Sequence, residues 1–232
     1  MNAIGSNYTQ LAALFLYPDA RFGETARGIQ TYLDEHCEKA AQELRAFTAF
    51  AEKATLVELE ELYTRSFDVQ AVTTLDVGYV MFGDDYKRGE LLVNLSREHN
   101  EAGIDCGTEL PDHLPNVLRL LDFMEKPELR DELVMKIVGP ALRKIIAEFD
   151  PARIEMKNAV YKKQHQTLIE RSAHHGLLYG NALKALYAVL KEDFDVGTDE
   201  QAFVPYHSQF LNSIGTELKL EPNKGEYNDT SR

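Results

Sequence analysis

The sequence lacks the features that direct a protein into a membrane, out of the cell or onto nucleic acid. Its longest apolar run, residues 11–17, has seven residues, whereas a membrane-spanning helix needs roughly 20. No lysine or arginine precedes Arg21, so a secretory signal would have no positively charged start. The net charge is −13, from 25 Lys and Arg against 38 Asp and Glu, which disfavours nucleic acid as a partner. We therefore expect a cytoplasmic protein without membrane insertion.

Several catalytic motifs are also missing. Neither of the glycine-rich phosphate-binding loops occurs, Gly-x-x-x-x-Gly-Lys or Gly-x-Gly-x-x-Gly. The His-Glu-x-x-His zinc motif and the Gly-x-Ser-x-Gly nucleophile elbow are absent as well. Because no nucleophile, base and orienting residue can be grouped without arbitrary choices, we expect that the protein is not an enzyme.

Cysteine and histidine are too scattered to predict a disulfide framework or a metal site. The two cysteines, Cys37 and Cys106, lie far apart in the sequence, which suits a reducing compartment. His99, Cys106, Asp112 and His113 surround a predicted loop, but a surface or capping histidine beside a core cysteine is the simpler interpretation. The adjacent histidines at positions 174 and 175 would point about 100° apart on a helix and chelate poorly. We predict no metal site.

The spacing of apolar residues predicts a helical protein. They recur at intervals of three and four, and alternating stretches typical of strands are absent. We predict an all-α fold, a single-domain bundle of about 8–10 helices over residues 1–194. A polar tail, residues 195–232, should be mobile or loosely docked and dispensable for the core.

Local signals place several helix boundaries. Thr55 and Glu58 form a capping box at one helix start, and residues 139–140, a Gly-Pro pair, should kink or split another helix. The stripes predicted to face inward include Phe22, Ala26, Ile29 and Leu33, then Leu56, Leu59, Leu62 and Tyr63, and then Leu114, Val117, Leu118 and Leu121.

Residues 61–115 contain more aromatic, glycine and charged residues than a helical core requires. Three phrases stand out: Leu-Tyr-x-x-x-Phe-Asp at residues 62–68, Tyr-x-x-Phe-Gly-x-x-x-x-Arg-Gly at 79–89, and Glu-Leu-Pro-Asp-His-Leu-Pro at 109–115. Residues 98–113 contain five acids and neither Lys nor Arg. Each feature also has a structural explanation, namely a core aromatic pair, close approach of another element at Gly89, and a solvated acidic loop.

In this order on a helical chain, the three phrases resemble the NarJ branch of the TorD-like redox-enzyme maturation chaperones. They are similar in particular to the nitrate reductase delta subunit and to relatives that serve other type II dimethyl-sulfoxide-reductase-family enzymes of anaerobic respiration. The likeness covers about residues 12–190 and is sharpest over 61–121. It implies a TorD-like fold and a cytoplasmic chaperone that binds the N-terminal segment of an apo molybdoenzyme's catalytic subunit. The client carries the bis(molybdopterin guanine dinucleotide) cofactor, and the chaperone would bind no cofactor stably.

The resemblance also implies a peptide-binding surface. In the relatives a Glu-Pro-x-Asp-His element takes part in binding the twin-arginine leader, and Glu109, Pro111, Asp112 and His113 resemble it, although Leu110 separates the first two. Such a leader brings two positive charges and then an apolar helix, so its receptor needs an acidic rim beside an apolar groove.

From this surface we predict a role for each candidate residue. Tyr63, Phe67, Tyr79 and Phe82 should wall the groove, Asp68, Glu109, Asp112 and His113 should lie near its rim, and Arg88 should tie two helices together. The alternative is a permanent structural subunit of a redox complex, whose apolar surfaces are covered by another protein throughout its life. The sequence leaves the oligomeric state open.

Overall fold

A computed structural model describes residues 7–156, 177–194 and Val196, and this part of the chain is helical. The helices are α1 (Tyr8–Ala12) with a following 3-10 turn (Ala13–Phe15), α2 (Phe22–His36), α3 (Glu38–Ala51), α4 (Leu56–Phe67), α5 (Val77–Phe82), α6 (Tyr86–Glu101), α7 (Leu114–Phe123), α8 (Pro127–Leu133), a π-helical turn (Val134–Val138), α9 (Gly139–Glu148) and α10 (Leu178–Phe194). Within the described residues the one β-type pairing is an isolated bridge between Asp76 and His113. The prediction of an all-α bundle is confirmed.

The bundle is organised around α10, which packs along α3 and against α9. Helix α2 also packs against α3, α1 packs against α7, and α5 packs against both α6 and α9. The large side chains of Phe47 and Tyr179 are almost fully buried where α3 meets α10. Apolar residues at spacings of three and four supply these faces, because such residues share one side of a helix.

Polar caps fix the helix starts that the packing needs. The Thr55 hydroxyl accepts from the backbone N–H of Glu58, and the Glu58 carboxylate accepts from the backbone N–H of Thr55, so the predicted capping box is confirmed. The Asp122 carboxylate, at the end of α7, accepts from the backbone N–H groups of Tyr8 and Thr9 at 3.1 and 2.7 Å. Donors at a helix N-terminus have no partner within the helix, so Asp122 joins α1 to α7.

The predicted interruption at residues 139–140 is also confirmed, and it takes the form of a π-helical turn. Residues Val134–Val138 are π-helical, and α9 then begins at Gly139. A Cβ atom at Gly139 would lie 2.6 Å from Cγ1 of Val196 and 3.1 Å from the carbonyl oxygen of Val134. Glycine is therefore needed here because Val196, which is 2% exposed, sits directly on it. The other residues of the predicted tail, 195 and 197–232, lie outside the described part of the chain.

Two local predictions are wrong. Leu56 was expected to face inward, but it is 38% exposed in the first turn of α4, where Leu59 and Leu62 supply the buried contacts. Gly89 was expected to mark the close approach of another element, but no other atom of the described residues lies within 4 Å of its Cβ position. In residues 7–156 and 177–194, no helix combines the length and apolar character that a membrane span requires.

Candidate functional site

Four charged or titratable side chains meet where α5, α6 and α7 begin, and we call Asp76, Arg88, Asp112 and His113 the polar cluster. The Arg88 guanidinium donates from Nε to Oδ2 of Asp112 at 3.0 Å and from Nη2 to Oδ2 of Asp76 at 3.2 Å. Nδ1 of His113 donates to the other oxygen of Asp76, Oδ1, at 3.2 Å. Arg88 thus connects the start of α5 to the loop before α7.

Backbone pairing brings the members of the polar cluster together. The N–H of Val77 donates to the carbonyl of Asp112 at 3.0 Å, and the N–H of Leu114 donates to the carbonyl of Leu75 at 2.9 Å. Gly78 makes this approach possible, because a Cβ atom there would lie 2.6 Å from Oδ2 of Asp112. The absence of a side chain at one residue therefore lets the Asp112 carboxylate reach Arg88.

The two aspartates of the polar cluster differ in burial and in charge balance. Asp112 is fully buried, and this burial raises its pKa. The hydrogen bond from Arg88 lowers the pKa of Asp112, whereas the negative charge of Asp76 raises it further. The pKa of Asp76 is lowered, first by the hydrogen bond from His113 and then by Arg88, against the opposing effect of partial burial. Buried carboxylates are tolerated only when they are paired. The cluster is thus a largely buried ionic network in which Arg88 pairs Oδ2 of Asp112, while Oδ1 of Asp112 is buried without a hydrogen-bond partner among the described residues.

A second group of side chains, which we call the aromatic cluster, lies where α4 meets α10 and the end of the first apolar run. Tyr63 contacts Tyr17, Phe67 and Tyr179 edge-on, with ring centroids 5.3, 5.4 and 6.0 Å apart. The ring of Phe67 also contacts that of Tyr179 edge-on, with the ring centroids 4.7 Å apart. Tyr17 is 56% exposed and Tyr63 is half-buried, so this cluster extends from the core to the surface.

The hydroxyl of Tyr63 donates to the backbone carbonyl of Phe15 at 3.4 Å, and nearby negative charges affect its pKa. The pKa of Tyr63 is raised to about 12, mainly by burial and then by the negative charges of Glu109, Asp68 and Asp76. The Glu109 side chain is 59% exposed, with Oε2 4.0 Å from Nδ1 of His113, and Asp68 is also exposed. We group the exposed part of the aromatic cluster with these two solvent-facing acids, whose charges act on Tyr63, and call the group the acidic-aromatic surface.

The structure places the predicted residues in two neighbouring environments. Tyr63, Phe67, Asp68 and Glu109 belong to the acidic-aromatic surface, and Asp76 connects it to the polar cluster because its charge also acts on Tyr63. Of the remaining predicted residues, Tyr79 is 43% exposed beneath the Arg88 guanidinium, which lies 5.2 Å from its ring centre, and Phe82 and Pro111 are partly buried.

The prediction that Asp112 and His113 lie at a rim is wrong in its placement of both. Asp112 is fully buried, and the His113 side chain is only 13% exposed. The Glu-Leu-Pro-Asp-His phrase turns into the protein at these positions, since the bridge to residues 75–77 draws them inward. Of the four predicted rim residues, Asp68 and Glu109 face solvent.

Sequence reasoning missed three residues of these clusters, Asp76, Tyr17 and Tyr179. Asp76 had a usable signal, because an aspartate directly before a short apolar segment is typical of a helix N-cap. Tyr17 closes the apolar run of residues 11–17, and nothing in its spacing indicates that it contacts Tyr63, 46 residues later. Such contacts depend on the tertiary fold and not on a local pattern.

The candidate metal ligands do not come together. Among the residues that the structure describes, no group of three or more His, Cys, Asp or Glu side chains could hold one ion. His99 contacts the backbone carbonyls of Leu95 and Asn116, whereas His113 contacts Asp76. The histidines at positions 174 and 175 lie outside the described residues.

Comparison with protein-family models finds none that matches this chain, and comparison with curated proteins finds no match either.

Proposed function

We propose that this chain is a cytoplasmic assembly chaperone of the NarJ/TorD-like kind, which it resembles in the three phrases of residues 62–115. In this proposal it binds the N-terminal, twin-arginine-leader-like segment of an apo molybdoenzyme catalytic subunit and holds it until the molybdopterin guanine dinucleotide cofactor is inserted. The chain performs no chemistry of its own, and the cofactor belongs to the client. The observation that carries the proposal is the acidic-aromatic surface.

The chemistry of this surface suits a basic amphipathic segment. Tyr17 and Tyr63 offer flat apolar area with polar tips, and such side chains give large contact area at low entropic cost. Asp68 and Glu109 are exposed and would pair with arginines or lysines of the ligand. A net charge of −13 favours fast encounter with a cationic peptide, and salt weakens that attraction.

The polar cluster holds the backbone next to the acidic-aromatic surface in place. Arg88 bonds one oxygen of each carboxylate, Asp76 and Asp112, and these bonds help to hold the loop before α7 in place. Asp112 is fully buried, so it does not face a ligand at the surface. The Arg88 guanidinium lies over the ring of Tyr79, which adds exposed aromatic area in α5. We therefore assign ligand pairing to Glu109 and Asp68, and a positioning role to Arg88, Asp112 and His113.

Titration of a synthetic peptide tests the proposal. The probe carries two adjacent arginines followed by an apolar helix-forming segment, and its affinity is measured for the wild type, Glu109→Gln and Asp68→Asn at low and high salt. We expect each variant to bind about two- to fivefold more weakly, the size of one partly exposed ion pair, and to lose part of the salt dependence. The exposed Glu43 of α3 provides a matched control, Glu43→Gln, which should bind like the wild type. Equal affinities throughout would contradict the proposal.

A second experiment separates the chaperone from a permanent structural subunit. The chain is purified from cells together with its bound polypeptide, which is then identified by mass spectrometry. We expect an apo catalytic subunit in this complex, and we expect the chain to be absent from the mature, cofactor-loaded enzyme. An equimolar amount in the mature enzyme would instead favour the structural subunit.

A further inference from the structure

A buried side chain holds the loop that carries Glu109. Asn116, in the first turn of α7, is 4% exposed, and its amide nitrogen donates to the carbonyl oxygens of Cys106 at 3.2 Å and Leu110 at 3.1 Å. A primary amide has two N–H donors, and both are used here. Asn116 therefore fixes the loop on each side of Glu109 with one side chain.

A buried histidine supports Asn116 from α6. His99 is 2% exposed, and its ring nitrogens lie 2.7 Å from the carbonyl oxygen of Leu95 and 3.1 Å from that of Asn116. The contact joins α6 to the first turn of α7 across the base of the loop. Because His99 and Asn116 are buried polar residues whose contacts run to the backbone, they act on the position of the chain and not on a ligand.

Other bonds also act on the ends of the loop: Nη1 of Arg119 donates to the carbonyl oxygen of Asp105 at 3.0 Å, and the N–H of His113 donates to that of Leu110 at 3.0 Å. Gly107 has a φ of +64°, and its N–H donates to Oδ1 of Asp105 at 2.8 Å, which forms a tight turn one residue after Cys106. Residues 107–110 are exposed and form no helix or strand. Asn116 is the buried side chain that bonds the backbone on both sides of residues 107–109.

We propose that Asn116, supported by His99, is the positioning residue that holds the exposed Glu109 side chain beside His113 for pairing with a cationic ligand. The inference rests on the proposed function and deepens it by naming what sets the geometry of the acidic-aromatic surface. Asn116 touches no ligand, and its effect on binding passes through Glu109. Without the two amide bonds, the loop samples other positions, and the Glu109 carboxylate is no longer fixed near His113.

The test combines peptide binding with hydrogen exchange. The probe is a synthetic peptide of two adjacent arginines followed by ten alternating leucines and alanines, titrated against Asn116→Leu, Glu109→Gln and the double variant. We expect Asn116→Leu to bind the peptide about fivefold more weakly, which is the size of the effect when a partly exposed charge contact is lost. The double variant should bind no more weakly than Glu109→Gln. Amide exchange over residues 102–110 should accelerate at least tenfold in Asn116→Leu.

A surface variant keeps the test decisive if Asn116→Leu does not fold. Gly107→Ala places a side chain at a positive φ in open space, so it changes the loop without touching the core. It should weaken peptide binding in the wild type and have no effect in the Glu109→Gln background. Gly28→Ala, in the middle of α2 and also in open space, is the matched control and should leave binding unchanged.

Three results would overturn the inference: unchanged loop exchange in Asn116→Leu, unchanged affinity despite faster exchange, or losses from Asn116→Leu and Glu109→Gln that multiply in the double variant. Failure of the proposed function has a different signature. In that case Glu109→Gln itself leaves peptide affinity unchanged, while the exchange measurement still reports whether Asn116 holds the loop.

Discussion

At the scale of single residues, the role of each carboxylate in residues 62–115 follows from its burial. Asp112 is fully buried and paired with Arg88, whereas the Glu109 side chain is 59% exposed three residues earlier. A sequence motif shows both as acids in one phrase and cannot separate them, because the separation depends on the bridge to residues 75–77. Glu109→Gln is therefore expected to report on binding, and Asp112→Asn on stability.

Asp112→Asn should destabilise the fold. The change removes the negative partner of Arg88 at a fully buried position, although Arg88 keeps its bond to Asp76. We expect a loss of about 1.5–3 kcal/mol in the free energy of unfolding, the usual size for a hydrogen bond to a charged group. Urea unfolding at pH 7 measures it, with Glu109→Gln as the exposed control. A loss within error of zero would show that the Asp112–Arg88 pair contributes no net stability.

Asp76 should give stability that depends on pH. Its pKa is lowered in the folded protein, first by the hydrogen bond from His113 and then by Arg88, so folding favours the charged carboxylate. The resulting stability is present above the pKa of an unfolded aspartate, about 3.9, and is lost as the pH falls through the lower pKa of the folded state.

The measurement is urea unfolding of wild type and Asp76→Asn at pH 7 and pH 3. We expect Asp76→Asn to cost about 1–3 kcal/mol at pH 7, as for loss of charge-assisted bonds, and the difference from wild type to shrink at pH 3. Asp84→Asn, an exposed neighbour in the turn before α6, should follow the wild type at both values. A difference that grows on acidification would contradict the assignment.

At the scale of helices, the sequence pattern predicted the features that depend on residues three or four positions apart. The stripe Phe22, Ala26, Ile29 and Leu33 is buried as expected, because spacings of three and four place residues on one face of any helix. The capping box of α4 is likewise a bond between residues three apart. The prediction that Leu56 faces inward was wrong because an apolar residue in the first turn of a helix need not reach the core. The packing of α4 against its neighbours determines which of its residues are buried.

Two helical glycines in neighbouring elements should respond oppositely to alanine. Gly89 lies in α6 with open space at its Cβ position, so Gly89→Ala should raise stability by about 0.5–1 kcal/mol, the helix-propensity gain. At Gly78 in α5 the Cβ would lie 2.6 Å from Asp112 and 2.9 Å from Leu91, so overpacking should cost about 1–3 kcal/mol. Thermal unfolding of both variants provides the comparison. Destabilisation by Gly89→Ala would indicate that another element does cover this face of α6.

At the scale of the whole molecule, the sequence predicted the class of fold, but not how the candidate site residues are brought together. The helices arise from short-range periodicity, whereas the acidic-aromatic surface joins residue 17 to residues 63, 68 and 109. Contacts between positions so far apart leave no pattern in one sequence. Phrases of the family type marked Tyr63, Phe67 and Glu109, while Tyr17 and Asp76 required the packed structure.

Val196 gives the predicted tail a boundary that truncation can locate. The prediction that residues 195–232 are dispensable for the core does not hold at Val196. This residue is 2% exposed and packs on Gly139, next to the π-helical turn. A chain ending at residue 197 should therefore keep the melting temperature of the full chain. A chain ending at Phe194 should lose about 1.5–3 kcal/mol, the value of burying a valine side chain.

Gly139→Ala identifies the contact responsible. In the full chain a Cβ at position 139 would lie 2.6 Å from Cγ1 of Val196, so the substitution should be clearly destabilising. In the chain that ends at Phe194 that neighbour is gone, and only the carbonyl of Val134, 3.1 Å away, opposes the new methyl group. The two changes should thus combine to less than the sum of their separate costs, because both act on one contact. Additive losses in thermal unfolding would mean that the end of α10 stabilises the bundle through some other residue.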